Sequence, residues 1–181
     1  MTNKTKTPNI DRILVDQQAI QKRVAELATA ITRDYVDKEL TIIALMKGSI
    51  VFLADLLRLI PLPLRLEIIP VSSYHGGTVS SGVVTLQTVP LPDITGRHLL
   101  LIDDILDSGK TLKVISEYLE TKGPKSLRSC VLLHKKTKTV ENIIAHYVGF
   151  EIPDEFVVGY GLDYQEYYRN LPEIRILVPS L

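Results

Sequence analysis

The apolar run His98-Leu99-Leu100-Leu101-Ile102 ends in two adjacent carboxylates, Asp103 and Asp104, and after Ile105-Leu106 comes Asp107-Ser108-Gly109-Lys110-Thr111-Leu112. A strand that delivers acids to its carboxyl end and then turns into a helix exposes backbone N–H groups and the positive end of the helix dipole. That is a seat for a phosphate. Gly109 lets a ligand come close to the backbone, and the hydroxyls of Ser108 and Thr111 can add hydrogen bonds. Carboxylates beside an anion site make chemical sense for a sugar phosphate, whose hydroxyls need acceptors and whose metal needs oxygen ligands. Ending a strand and capping a helix would use some of these residues, but capping does not require three acids. A Walker nucleotide loop does not fit, because Gly109-Lys110-Thr111 would need a glycine where Asp104 stands.

The elements that must hold these residues can be traced from periodicity. Ile20, Val24, Leu27, Ala28 and Ile31 follow helical spacing over Asp16 to Tyr35, with Asp16 as N-cap. Leu40 to Met46 reads as a strand, Lys47-Gly48-Ser49 as a tight turn, and Ile50 to Ile60 as a helix stopped by Pro61. Leu66 to Val71 reads as a strand, followed by a Gly- and Ser-rich loop over 72–82 and a short strand over Val83 to Leu86. Leu112, Ile115 and Leu119 mark a helix ending near Gly123-Pro124. Leu127 to Leu133 and His146 to Phe150 read as further strands, and the remaining C-terminal chain as short elements rich in aromatics and prolines. Strands alternating with helices give an α/β protein with a doubly wound, mainly parallel sheet flanked by helices, and chain left over for a cap at the strand ends.

Composition agrees with that class. The chain has 181 residues, 45% apolar, 6% aromatic and no Trp, which calls for one domain with a core of Leu, Ile and Val. Lys+Arg and Asp+Glu balance at 21 each, so no global field draws the chain to nucleic acid or to an anionic membrane. Cys130, in the run Ser129-Cys130-Val131-Leu132-Leu133, reads as a small buried hydrophobe. His75, His98, His134 and His146 lack the spacing of a metal site. No apolar stretch approaches the ~20 residues of a membrane span, and MTNKTKTPNI carries no signal-like apolar region, so the expectation is a soluble cytoplasmic protein with a short loose tail.

The stretch from Asp103 to Leu112 resembles the phosphoribosyl-diphosphate signature of the type I phosphoribosyltransferases. Val148-Gly149-Phe150-Glu151-Ile152-Pro153-Asp154-Glu155-Phe156-Val157-Val158-Gly159-Tyr160-Gly161-Leu162-Asp163-Tyr164 is similar to the purine-binding region of the hypoxanthine-guanine members. Met46-Lys47-Gly48, Ser73-Tyr74 and Tyr168-Arg169-Asn170-Leu171-Pro172 follow in the family's order, so the resemblance covers nearly all of the chain after the opening helix. It implies a single domain over 1–181, with a small hood built from the N- and C-terminal segments. It implies Mg²⁺-dependent transfer of a phosphoribosyl group from phosphoribosyl diphosphate to N9 of hypoxanthine or guanine, and a homodimer or homotetramer.

Carried over by that resemblance, Asp103 and Asp104 hold the ribose hydroxyls and Mg²⁺, and Asp107, Ser108, Gly109, Lys110 and Thr111 cradle the 5′-phosphate. Asp107 is also the acid/base near N7 of the purine, since forming the glycosidic bond requires the base to lose a proton. Lys47 and Gly48 form the diphosphate loop, with a Met46–Lys47 peptide expected to be cis, and Arg169 binds the same diphosphate. Lys135 donates to the 6-oxo group, Phe156 stacks on the ring and the Val157 backbone bonds its edge. Asp163 takes a second Mg²⁺, while Ser73 and Tyr74 close as a lid. The acidic pair departs from the family's usual Glu-Asp, and a slip of one residue would exchange Lys135 with Lys136. A xanthine enzyme shares the chemistry, differing around Asp163 and Val157. A nucleic-acid-binding regulator on the same fold is the rival from another class.

Overall fold

The structure, a computed structural model, describes residues 9–71, 91–139 and 143–178. Ser73, Tyr74, the loop over 72–82 and the strand expected over 83–86 lie outside the described residues.

A five-stranded parallel sheet forms the centre, in the order β3-β2-β4-β5-β6, from β2 (Leu40–Met46), β3 (Leu64–Pro70), β4 (His98–Leu106), β5 (Ser126–His134) and β6 (Tyr147–Glu151). The inner strands carry apolar runs, Ile42 to Met46, Leu99 to Ile102 and Cys130 to Leu133, because helices cover both faces there. Alternate residues divide between two cores. Leu40, Ile42, Ala44, Leu100, Ile102, Cys130 and Leu132 pack beneath α1 (Gln17–Tyr35) and α2 (Ile50–Arg58). Ile43, Leu45, Leu99, Leu101 and Val131 face the opposite way, under α3 (Lys110–Glu120). This is the period-two geometry of a strand working on both faces at once.

Helix α1 begins where expected: the Asp16 carboxylate accepts a hydrogen bond from Ala19 N at 2.9 Å. Its buried stripe is Ile20, Val24, Leu27, Ala28, Ile31 and Tyr35. Arg23, on the same helix, donates from Nε and Nη2 to the carbonyls of Gly149 and Val148 at 2.9 and 2.8 Å, tying the edge strand β6 to the helical layer.

A second, three-stranded antiparallel sheet runs β1-β8-β7, joining β1 (Asn9–Val15) to β8 (Ile174–Val178) and β7 (Val157–Val158). The expected loose tail is corrected at its end: strand β1 starts at Asn9, because Ile10 pairs with Leu177 at the far end of the chain. Val15, Val157, Ile174 and Ile176 join the α1/α2 core, so this small sheet shares buried surface with the large one. No helix among the described residues is long and apolar enough to cross a membrane.

Candidate active site

The carboxyl ends of β2, β4 and β5 open into a cavity of about 380 Å³. Such crevices beyond the strand ends are where doubly wound sheets bind ligands. Met46, Lys47 and Gly48 line it from the β2–α2 turn, Asp103 to Asp107 from the end of β4, and Ser108, Gly109 and Thr111 from the turn into α3. Lys135 and Lys138 line it from the chain after β5, and Phe156, Val157, Leu162 and Asp163 from the C-terminal segment.

The turn into α3 has the form a phosphate needs. Gly109 is the helix N-cap, with φ of 87°, and the first turn of α3 starts at the cavity, where Lys110 N donates to Ser108 Oγ at 3.5 Å and the positive end of the helix dipole favours an anion. A residue with a Cβ is strained at that φ. The cap is Gly109 and not Asp107, which leaves the Asp107 carboxylate for other work. The Met46–Lys47 peptide bond is cis. In the same turn, Gly48 packs against Asp104 so tightly that a Cβ on it would collide with Oδ2.

Asp103 and Asp104 stand side by side, Asp103 Oδ1 accepting from Asp104 N at 3.0 Å and Asp104 Oδ1 from Ile105 N at 2.8 Å. Burial and the neighbouring Asp104 charge push the Asp103 carboxyl well above the usual carboxylate range. Burial raises Asp104 as well, against the lowering effect of its hydrogen bonds and of Arg169. Among the described residues neither forms an ion pair. Two partly buried carboxylates side by side, with no ion-pair partner among the described residues, are hard oxygen donors of the kind that fits Mg²⁺. No group of three or more His, Cys, Asp or Glu among the described residues forms a cage for a metal.

At the other end of the cavity is a cluster of alternating charge. The buried Lys135 ammonium lies 3.2 Å from Asp154 Oδ1 and 3.6 Å from Asp107 Oδ2. Lys138 Nζ lies 3.3 Å from Asp107 Oδ1, from Asp107 Oδ2 and from Asp154 Oδ1. The lysine hydrogen bonds, that of Lys135 foremost, hold Asp154 below the ordinary carboxylate range. Burial opposes the charge on Lys138, but its two acidic partners outweigh that and raise it. Lys136, by contrast, points outward to Glu151 with 70% of its side chain exposed. Phe156 meets Tyr164 edge-on with ring centroids 5.8 Å apart.

Lys110 and Arg169 are not among the residues lining the cavity. Arg169 Nη2 lies 2.9 Å from Asp163 Oδ1 and 3.1 Å from Glu166 Oε2, and Nη1 donates to Gly161 O at 2.8 Å. Its buried Nε makes no hydrogen bond among the described residues. Asp163 Oδ2 accepts from Glu166 N at 2.8 Å, so both Asp163 oxygens are engaged. Glu166 also takes Lys47 Nζ at 3.2 Å, and Arg169 and Lys47 together hold its carboxyl low. Sequence reasoning missed Glu166, Asp154 and Lys138. The run Lys135-Lys136-Thr137-Lys138 looks like solvated charge, and only the return of the chain after β5 separates inward from outward lysines.

The phosphoribosyl transferase domain family matches residues 12–165. The hypoxanthine-guanine phosphoribosyltransferase of Streptococcus pneumoniae is 42% identical over 169 residues, covering 93% of this chain and 94% of its own. A crystal structure of a hypoxanthine-guanine phosphoribosyltransferase from Bacillus anthracis, with HEPES in the active site, superposes with a TM-score of 0.87 at 40% identity over 95% of this chain and 99% of that one. The hypoxanthine phosphoribosyl transferase of Trypanosoma cruzi, studied for the role of its C-terminal region on oligomeric state and enzymatic activity, superposes with a TM-score of 0.85 at 38% identity, over 93% of this chain and 91% of that one.

Proposed function

This chain belongs to the phosphoribosyl transferase family, among the hypoxanthine-guanine members, and from that premise we propose that it transfers the phosphoribosyl group of phosphoribosyl diphosphate to N9 of a 6-oxopurine. The bond from the anomeric carbon to diphosphate breaks, the bond to N9 forms, and the base gives up a proton. The products are a purine nucleotide and diphosphate.

One observation carries this reading: the glycine turn into α3, the acidic pair, and the apolar Phe156, Val157 and Leu162 with Lys135 line a single cavity. The N-terminal turn of α3, with Ser108, Gly109 and Thr111, suits the 5′-phosphate, and Lys110 adds charge at the same terminus. Asp103 and Asp104 would accept from the ribose hydroxyls and hold Mg²⁺, with Asp163 the proposed ligand of a second ion. What bound Mg²⁺ supplies is charge neutralisation on the diphosphate. Lys47, the Gly48 backbone and Arg169 take up negative charge as diphosphate departs, and nearby carboxylates favour a cation-like sugar. Lys135 donates to the 6-oxo group, Phe156 stacks on the base, and the Val157 backbone bonds its edge. Asp107 accepts the proton that the base loses.

The whole chain acts as one domain in this reading, with the small sheet β1-β8-β7 as its hood, in the cytoplasm and as a homodimer or homotetramer. The test is direct. Purified protein is mixed with phosphoribosyl diphosphate, Mg²⁺ and, separately, hypoxanthine, guanine, xanthine or adenine, and nucleotide formation is followed by absorbance. Turnover of hypoxanthine or guanine is expected, with loss on chelation of Mg²⁺. Folded protein that turns over no 6-oxopurine would sink the reading.

A further inference from the structure

Lys138 has no role in the reaction as described so far, yet it is held firmly against Asp107. After β5 the chain turns back on itself, with Lys138 N and Thr139 N both donating to Lys135 O at 3.0 and 3.1 Å. The Thr139 hydroxyl then donates to Asp107 O at 2.7 Å, fastening this turn to the start of the phosphate loop. Lys138 Nζ is thereby carried to 3.3 Å from both Asp107 oxygens and from Asp154 Oδ1. With 44% of its side chain exposed, Lys138 still meets two carboxylates, on a turn that Thr139 fastens to Asp107 O.

The two Asp107 oxygens are not equivalent. Nζ of Lys138 is aligned for a hydrogen bond only with Oδ2, which Lys135 also approaches at 3.6 Å. Oδ1 is buried and accepts no hydrogen bond among the described residues. The Lys138 ammonium also stands 3.3 Å from Oδ1 without the alignment of a hydrogen bond, so this oxygen keeps acceptor capacity for a donor brought by a substrate. If Lys135 turns to the 6-oxo group of the base, Lys138 is the cation that remains with Asp107.

We propose that Lys138 is a positioning residue for Asp107: it holds Oδ2, fixes the rotation of the carboxylate, and leaves Oδ1 as the acceptor for the proton on the purine ring. Asp154, the other carboxylate in contact with Lys138, gives the ammonium a second anchor at 3.3 Å. The inference rests on the assignment of Asp107 as the proton acceptor of a 6-oxopurine transferase.

Steady-state kinetics with saturating phosphoribosyl diphosphate and the preferred 6-oxopurine test it in the wild type, Lys138→Met, Lys138→Arg, Asp107→Asn and the Asp107→Asn/Lys138→Met double variant. Lys138→Met is expected to lower kcat on the order of tenfold, with KM for phosphoribosyl diphosphate and the melting midpoint close to wild type. Lys138→Arg should restore most of the rate. In the Asp107→Asn background the Lys138 change should cost less than about twofold, because a residue acting through Asp107 has nothing left to act on. An unchanged kcat in Lys138→Met would overturn the proposal, and so would a full loss repeated on top of Asp107→Asn. Wild-type protein with no turnover would instead overturn the functional reading beneath it, and this inference with it.

Discussion

Gly48 rests directly against the carboxylate of Asp104, which joins the turn after β2 to the acidic pair at the end of β4. Parallel neighbours β2 and β4 pair from Leu40 with His98 to Ala44 with Ile102, so the chain leaving β2 arrives beside Asp104. Hydrogen at the Cα of residue 48 is what lets the two loops share that space. Gly48→Ala should push Asp104 Oδ2 aside and move the Lys47 backbone with it. A core overpacked by one methyl loses about 1–3 kcal/mol, and displacement of a reacting group by an ångström costs about 100-fold in rate. Thermal melting and kcat/KM check both. A variant that keeps its activity within about twofold would show that the loops are free to part.

Tyr160 carries the C-terminal segment onto α2: its hydroxyl donates to Asp55 Oδ2 at 2.7 Å. One residue later Gly161, at φ 102°, lies so close to the carbonyl of Gly48 that a Cβ has no room. Asp163 and Arg169 depend on this anchorage, since Arg169 Nη1 donates to Gly161 O. Tyr160→Phe removes only the hydroxyl. We expect a loss of about 1 kcal/mol in unfolding free energy, and a higher KM for phosphoribosyl diphosphate than for the purine. Equal change in both constants would place the effect in general stability.

His146 couples the fold to acid. Its Nδ1 accepts a hydrogen bond from Ser129 N at 3.1 Å, so it must be unprotonated. Burial, with the charge of Arg128, holds the imidazole below its ordinary value. The unfolded chain therefore takes up the proton first as pH falls. The contribution of His146 is complete above the usual histidine range and is lost as pH falls through it toward the folded value. Melting midpoints measured from about pH 7 down to about pH 5 should fall more steeply for the wild type than for His146→Asn, which keeps an acceptor and does not titrate. Parallel curves would remove His146 from the account.

The large sheet was readable from the chain because β2, β4 and β5 each hold an apolar run, Ile42 to Met46, Leu99 to Ile102 and Cys130 to Leu133, and the acid pair with its glycine turn carries a local signature. Strands β1, β7 and β8 were not. Strand β1 is interrupted by Asp11-Arg12, β7 has two residues, and Ile10 finds its partner at Leu177, a pairing that no local window contains. Lys135 and Lys136 were interchangeable as neighbours in sequence. The turn after β5 sends one into the cavity and the other to Glu151 on the surface. Likewise Glu166 became visible only when its loop brought Lys47 and Arg169 to one carboxylate.

Asp103 is expected to reduce stability in the absence of ligand. Its carboxyl is raised by burial and by the Asp104 charge, so the folded protein resists ionising it more than the unfolded chain does. For a carboxyl shifted upward the penalty is absent below the unfolded value, grows as pH rises toward the folded one and is complete above it. Asp103→Asn keeps the acceptor for Asp104 N and removes the repulsion. Its melting midpoint should exceed the wild type at about pH 8 and converge with it near about pH 4, while transferase activity is lost. Mg²⁺ with phosphoribosyl diphosphate should then reverse the ranking, raising the midpoint of the wild type far more than that of the variant, because only the wild type retains both carboxylates to bind them. A variant less stable than the wild type at high pH would mean that Asp103 makes a net favourable contribution to the fold, and the strained acidic pair would no longer explain a demand for a cation.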